Sequence, residues 1–62
     1  MNDLMTIDEV AEELRTPVPT LRHWRATNRG PAFLKLGRRL VCRRADLDAW
    51  LAEQAREQLE TV

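Results

Sequence analysis

The chain has one cysteine, Cys42, in 62 residues. No internal disulfide can form. The one histidine, His23, lies far from it in sequence, so the ligand set of a zinc site is missing and no metal or cofactor is expected. Cys42 reads as a small strand residue. No apolar run approaches the roughly 18 residues of a membrane span. The first residues lack the basic-then-apolar pattern of a secretory signal, so a cytoplasmic location is expected. The length suits one domain, residues 1–62, and leaves no room for an enclosed substrate cavity with its own supporting shell. A chain this short buries only about 60% of the surface its unfolded form exposes. There is no paired-carboxylate site, no serine or cysteine partner for His23, and no glycine-rich phosphate loop, so an enzyme is not expected.

Acidic residues are absent from a second place. Between Arg15 and Arg44 there is no Asp or Glu, yet nine basic residues: Arg15, Arg22, Arg25, Arg29, Lys35, Arg38, Arg39, Arg43 and Arg44. Five acids precede that window (Asp3, Asp8, Glu9, Glu12, Glu13) and five follow it (Asp46, Asp48, Glu53, Glu57, Glu60). The formal net charge of zero therefore hides a basic centre between acidic flanks, a segregation that points to a polyanion as partner.

The local patterns predict helix, helix, β-hairpin, helix. Thr6 with Glu9 three residues on fits a capping box, and Asp8 and Glu9 suit the positive end of a helix dipole. Ile7, Val10, Ala11 and Leu14 share one face, giving a helix over about 7–14. Arg15, Thr16 and Pro17 form a turn, with a positive φ expected at Arg15, where glycine is the commoner choice. Pro17 and Pro19 are compatible only with the first turn of a second helix, about 18–27, anchored by Leu21 and Trp24 with Val18 beside them. Asn28 and Gly30 suit its end, and Pro31 forbids continuation. Phe33 to Arg43 reads as a hairpin turning at Gly37, Arg38 and Arg39. Leu34, Leu36, Leu40 and Cys42 are expected to face the core, with Lys35, Val41 and Arg43 outward. A third helix, about 45–58, is expected to bury Leu47, Trp50, Leu51 and Ala55, with fraying from Leu59.

The spacing of Val10, Ala11, Leu14, Leu21 and Trp24 lets two short helices cross steeply, as in a helix-turn-helix. With Leu21 and Trp24 inward, rotation by 100° per residue puts Pro19, Arg22, His23 and Ala26 on the opposite side, with Thr20 on the border and Arg25 snorkelling to the edge. Such a helix fits the major groove of B-DNA, where an arginine takes guanine bidentately. A ribbon with Arg38 and Arg39 at its tip and Lys35 and Arg43 on its outer face fits a phosphate track or a narrow minor groove. Together they predict a winged helix-turn-helix, mainly α with a small β-hairpin, whose two prongs meet adjacent grooves.

The segments "TIDEVAEELRTPVPTLRHWR" and "GPAFLKLGRRLVCRRADLDAWL" resemble the excisionase family, the recombination directionality factors of phages and integrative elements. They are also similar to the DNA-binding part of MerR-type regulators. The resemblance covers about Leu4 to Leu51 and is most specific in "KLGRR" with "RRADLDAWL". It departs from the family in the turn, where "RTPVP" stands in place of small or hydroxyl residues. It implies a recognition helix with Thr20, Arg22 and His23, joined from the helical wheel by Pro19 and Arg25. It implies a wing with Lys35, Gly37, Arg38, Arg39 and Arg43; Arg29 would touch the DNA backbone more weakly. It implies a non-enzymatic protein of the bacterial cytosol or nucleoid. Such a protein binds repeated sites on double-stranded DNA beside further copies of itself, bends the DNA and helps an integrase excise the element. A small MerR-like transcriptional regulator would use the same surface. A basic adaptor for an acidic protein partner is the third reading, separable by the steep salt dependence that several phosphate contacts impose.

Overall fold

The computed structural model describes residues 3–60. Its elements are β1 (Leu4–Thr6), α1 (Ile7–Leu14), α2 (Val18–Ala26), β2 (Phe33–Leu36), β3 (Arg39–Arg43) and α3 (Arg44–Glu60). The fold is a winged helix-turn-helix. To the expected helix-helix-hairpin-helix order it adds β1, which makes the hairpin a three-stranded antiparallel sheet in the order β1-β3-β2. β1 is three residues long and merges into the α1 cap, too short to leave a period of its own in the sequence.

α1 starts where its capping box dictates. The Glu9 N–H donates to Thr6 Oγ1 at 3.1 Å, and the Thr6 N–H donates to Glu9 Oε1 at 2.8 Å. α1 ends on Arg15, at φ 52° and ψ 43°, the left-handed conformation expected of this turn. Two backbone bonds wrap that end: Thr16 N–H to the Ala11 carbonyl at 2.9 Å, and Arg15 N–H to the Glu12 carbonyl at 3.2 Å. A side chain there costs about 1–2 kcal/mol. Arg15→Gly is therefore expected to stabilise the domain by about 1 kcal/mol, raising the melting temperature of so small a chain by about 4–8 °C. Thermal unfolding by circular dichroism reads this directly, and an unchanged midpoint would mean that the turn holds no strain.

α2 begins behind Pro17, with Pro19 in its first turn, where a missing N–H leaves no bond unmade. It closes on Asn28, φ 58°, with Arg29 N–H reaching the Trp24 carbonyl at 2.7 Å. Gly30 follows at φ 79°, and a Cβ on it would lie 2.9 Å from Trp24 Cε3. The chain therefore crosses the Trp24 ring closely, and Trp50 meets that ring from α3 at a centroid distance of 5.8 Å and a tilt of 45°.

The core is one cluster of Met5, Ile7, Val10, Ala11, Leu21, Cys42 and Leu47, with Leu14, Val18, Trp24, Phe33, Leu40 and Trp50 packed around it. Val41 lies on the outer face, as expected, but on the central strand between β1 and β2 it is only 7% exposed. Leu34 and Leu36 do not join the core; they are 41% and 52% exposed. The reason is register. The hairpin turns on two residues, Gly37 and Arg38, closed by Leu36 opposite Arg39, so Leu34 pairs with Val41 and Phe33 with Cys42. Gly37 takes φ 61° at the first loop position, as a tight type II′ loop requires. Shortening the turn by one residue moves the opposing residues to the other face. Phe33, Leu40, Cys42 and Met5 thus meet the helices, while Leu34, Leu36 and Val41 share the outer face with Thr6. Lys35, expected on the outer face, instead lies opposite Leu40 on the helix-facing side, at its exposed edge.

α3 departs from expectation at both ends. It starts at Arg44, one residue early, and stays helical through Leu59 to Glu60. Leu47 is buried and Trp50 half-buried, but Leu51 is 38% exposed and Ala55 is exposed. Beyond Trp50 only Gln54 is half-buried among the described side chains, so the second half of the helix extends past the body that its first half anchors. Among the described residues, no helix is long and apolar enough to cross a membrane.

Candidate nucleic-acid interface

α2 presents the face that its wheel requires. Leu21 is buried, Trp24 and Val18 are half-buried, and Thr20 lies half-buried at the border. Pro19, Arg22, His23 and Ala26 are exposed; so is Arg25. The two rigid anchors therefore fix how the helix is rotated, and rotation decides which side chains a partner meets.

The wing tip comes to the same side. Arg22 of α2 and Arg38 and Arg39 of the wing line one groove, whose other wall is Thr6, Ile7 and Asp8 at the start of α1. Gly37 lies at the apex, and beyond its two chain neighbours nothing stands within 4 Å of where its Cβ would be. Lys35 and Arg39 are exposed on the strands flanking the tip. Arg25 and Arg29 are not in this groove. They share a separate hollow with Gly30 and Phe33 at the C-terminal end of α2.

The basic window is less uniform than the sequence alone implies. Arg43 is held by Asp46, Nε to Oδ2 at 2.7 Å and Nη2 to Oδ1 at 3.1 Å. Arg44 pairs with Glu13 through both its terminal nitrogens, one at 3.0 Å from Oε1, and stands 3.8 Å from Asp48. These two arginines tie the end of β3 to the first turn of α3, and α3 to α1. Among the described residues, no ion pair engages Arg15, Arg22, Arg25, Arg29, Lys35, Arg38 or Arg39. These cations therefore remain for an external anion. Arg43, expected on the wing as a DNA contact, meets one only by leaving Asp46.

The hydrogen bond from Arg44, helped by its charge, holds the Glu13 carboxyl below its ordinary value. A carboxyl depressed in the folded state adds stability above its unfolded pKa, and that stability is lost as pH falls through the folded value. The domain is therefore expected to lose stability on acidification below the ordinary carboxylate range. Glu13→Gln should flatten that part of the profile, as read by urea midpoints across acidic pH. Both partners are exposed, so the effect is small. In Cys42, burial first and the Asp46 charge second push the thiol above its ordinary value, which keeps it a neutral core residue.

Sequence alone does not place Asp8 in this surface. There it is legible only as a favourable charge on a helix dipole, because its place in one groove with Arg22 and the wing exists only once α1 has packed against α2 and β3. No curated protein and no solved structure matches the chain significantly. A family model for the helix-turn-helix domain matches residues 4–55, from β1 into the second half of α3. With most of its length matched, and with two helices joined by a short turn and followed by a wing, the chain belongs to the helix-turn-helix domain family of DNA-binding proteins.

Proposed function

We propose that this protein is a non-enzymatic DNA-binding factor of the excisionase type, which occupies adjacent sites in several copies, bends the DNA and promotes integrase-mediated excision. The observation that carries the reading is the shared groove of Arg22, Arg38 and Arg39, cations from recognition helix and wing on one side of the molecule with no ion pair among the described residues. Arg22, His23, Thr20 and Pro19 would meet base edges and nearby phosphates in the major groove. Arg38, Arg39, Lys35 and Gly37 would follow the backbone beside it. Arg25 and Arg29, in their own hollow, would take phosphates beyond the C-terminal end of α2.

One such module reads few base pairs, and each mismatched pair costs roughly 1–3 kcal/mol, so a single copy discriminates poorly. Several copies on repeated sites remedy this. Glu9, Glu12 and Glu13 lie around a different hollow, with Leu4, Met5 and Arg44, and this acidic side of one copy complements the free basic side of the next. Bending a short site costs of order 1–6 kcal/mol, which added phosphate contacts offset.

Mobility-shift isotherms on duplexes with one and with two adjacent sites test cooperativity, and circularly permuted probes test bending. Noncooperative binding to straight DNA sinks the architectural part. Stimulation of excision by the integrase of the same element is the decisive readout. Binding at a promoter with excision unchanged would assign the regulator role instead. Arg22→Ala is expected to lower affinity for the selected site about tenfold or more, the value of one good base contact, and to affect unrelated duplexes less. Equal losses on both would make Arg22 a phosphate ligand.

A further inference from the structure

Among the described residues, Asp8 is the one acid lining the groove between recognition helix and wing. It is exposed in the first turn of α1 and forms no ion pair with Arg22, Arg38 or Arg39. Its service to the helix dipole is shared: Glu9 lies in the same turn and closes the capping box. A carboxylate beside three guanidiniums lowers the attraction that the groove exerts on a phosphate. For affinity alone the position would be better neutral or basic.

An acid in such a place does something a base cannot. Contacts to phosphate carry no sequence information, whereas the exocyclic amine of cytosine in the major groove is a donor that a carboxylate accepts. We infer that Asp8 is a specificity-determining residue, repelling a phosphate placed in the groove and accepting a hydrogen bond from a cytosine amine when the bases are in register. The inference rests on the DNA-binding reading above. Asp8 weakens every complex held by backbone alone and spares the one in which a base donor faces it. Specificity is a ratio of affinities, and a repulsive element raises it as well as an attractive one does.

The test begins with duplexes selected by the wild-type chain from a randomised library. Affinities for selected and unselected duplexes of equal length are then compared for wild type and Asp8→Asn, with melting curves to confirm folding. Asp8→Asn is expected to bind unselected duplex about fivefold more tightly at low salt, the effect of removing one partly screened charge. Its affinity for selected duplex should not rise, so the ratio falls about fivefold or more. Selection repeated with Asp8→Asn should lose a preferred cytosine. Asp8→Glu, which retains the charge, should retain the weak binding to unselected DNA. Equal tightening on both duplexes, an unchanged consensus, or an Asp8→Glu protein that behaves like Asp8→Asn would each overturn the inference. A wild-type chain that binds no duplex at low salt would instead remove the DNA-binding reading beneath it.

Discussion

Leu21→Ala is expected to leave the domain largely unfolded at physiological temperature. Leu21 is fully buried at the inner side of α2, in one cluster with Val10 and Ala11 of α1, Cys42 of β3 and Leu47 of α3. It is therefore where both helices of the turn, the wing and the last helix meet. A leucine truncated to alanine in a core costs about 2–5 kcal/mol, most where the surroundings cannot collapse into the space. Here Pro17 and Pro19 stiffen the helix start, and the Trp24–Trp50 pair pins its end, so collapse is restricted. A domain of this length has roughly 3–9 kcal/mol in total. With collapse restricted, the cost lies near the upper end, about 5 kcal/mol, which consumes nearly all of a stability near the middle of that range. Far-ultraviolet circular dichroism against temperature is the measurement. A melting point within a few degrees of wild type would show that the core is centred elsewhere. Trp50→Ala is the milder variant, because a half-buried ring forfeits less than a fully enclosed one, whose removal costs about 3–5 kcal/mol.

Arg38→Ala combined with Arg39→Ala is expected to weaken binding to any duplex about 100-fold at low salt while leaving the fold intact. Each arginine is exposed and has no ion pair among the described residues, so neither truncation leaves a buried charge behind. A hydrogen bond to a charged group contributes about 1.5 kcal/mol at the lower end of its range, and two of them give about two decades in affinity. The salt dependence discriminates mechanism more sharply than the affinity does. Removing one cation from the phosphate track reduces the slope of log affinity against log salt by about 0.9, so the double variant should be flatter by roughly 2. Reduced affinity with an unchanged slope would mean that the wing meets something other than the phosphate backbone. Arg43→Ala is the internal comparison. Its guanidinium is already engaged by Asp46, so the slope should change less than for either tip arginine.

Much of this arrangement is legible in short-range pattern. The capping box at Thr6 and Glu9, the left-handed Arg15, the two prolines opening α2 and the Asn28 closure are all set within four or five residues, and each forms as its local chemistry demands. The rotation of α2 is equally readable, since Leu21 and Trp24 fix it. The features that escape a reading of the sequence have one thing in common: each depends on a residue distant in the chain. β1 exists because Met5 finds Cys42 across the sheet. Leu51 and Ala55 fit a helical stripe perfectly well, yet no other element reaches far enough along α3 to cover them.

The amino-acid sequence by itself determined where the helices start and stop, which side of α2 is apolar, and that positive charge is concentrated in the middle of the chain, because these follow from backbone chemistry and from order alone. Only the tertiary structure decided the hairpin register, and with it that Leu34 and Leu36 face outward, since one residue more or less in a turn reverses a strand's faces. It also decided which cations are free. Arg43 and Arg44 look like Arg38 and Arg39 in a string of letters, and what separates them is the position of Asp46 and Glu13 in space, where charges interact by distance and not by their place along the chain.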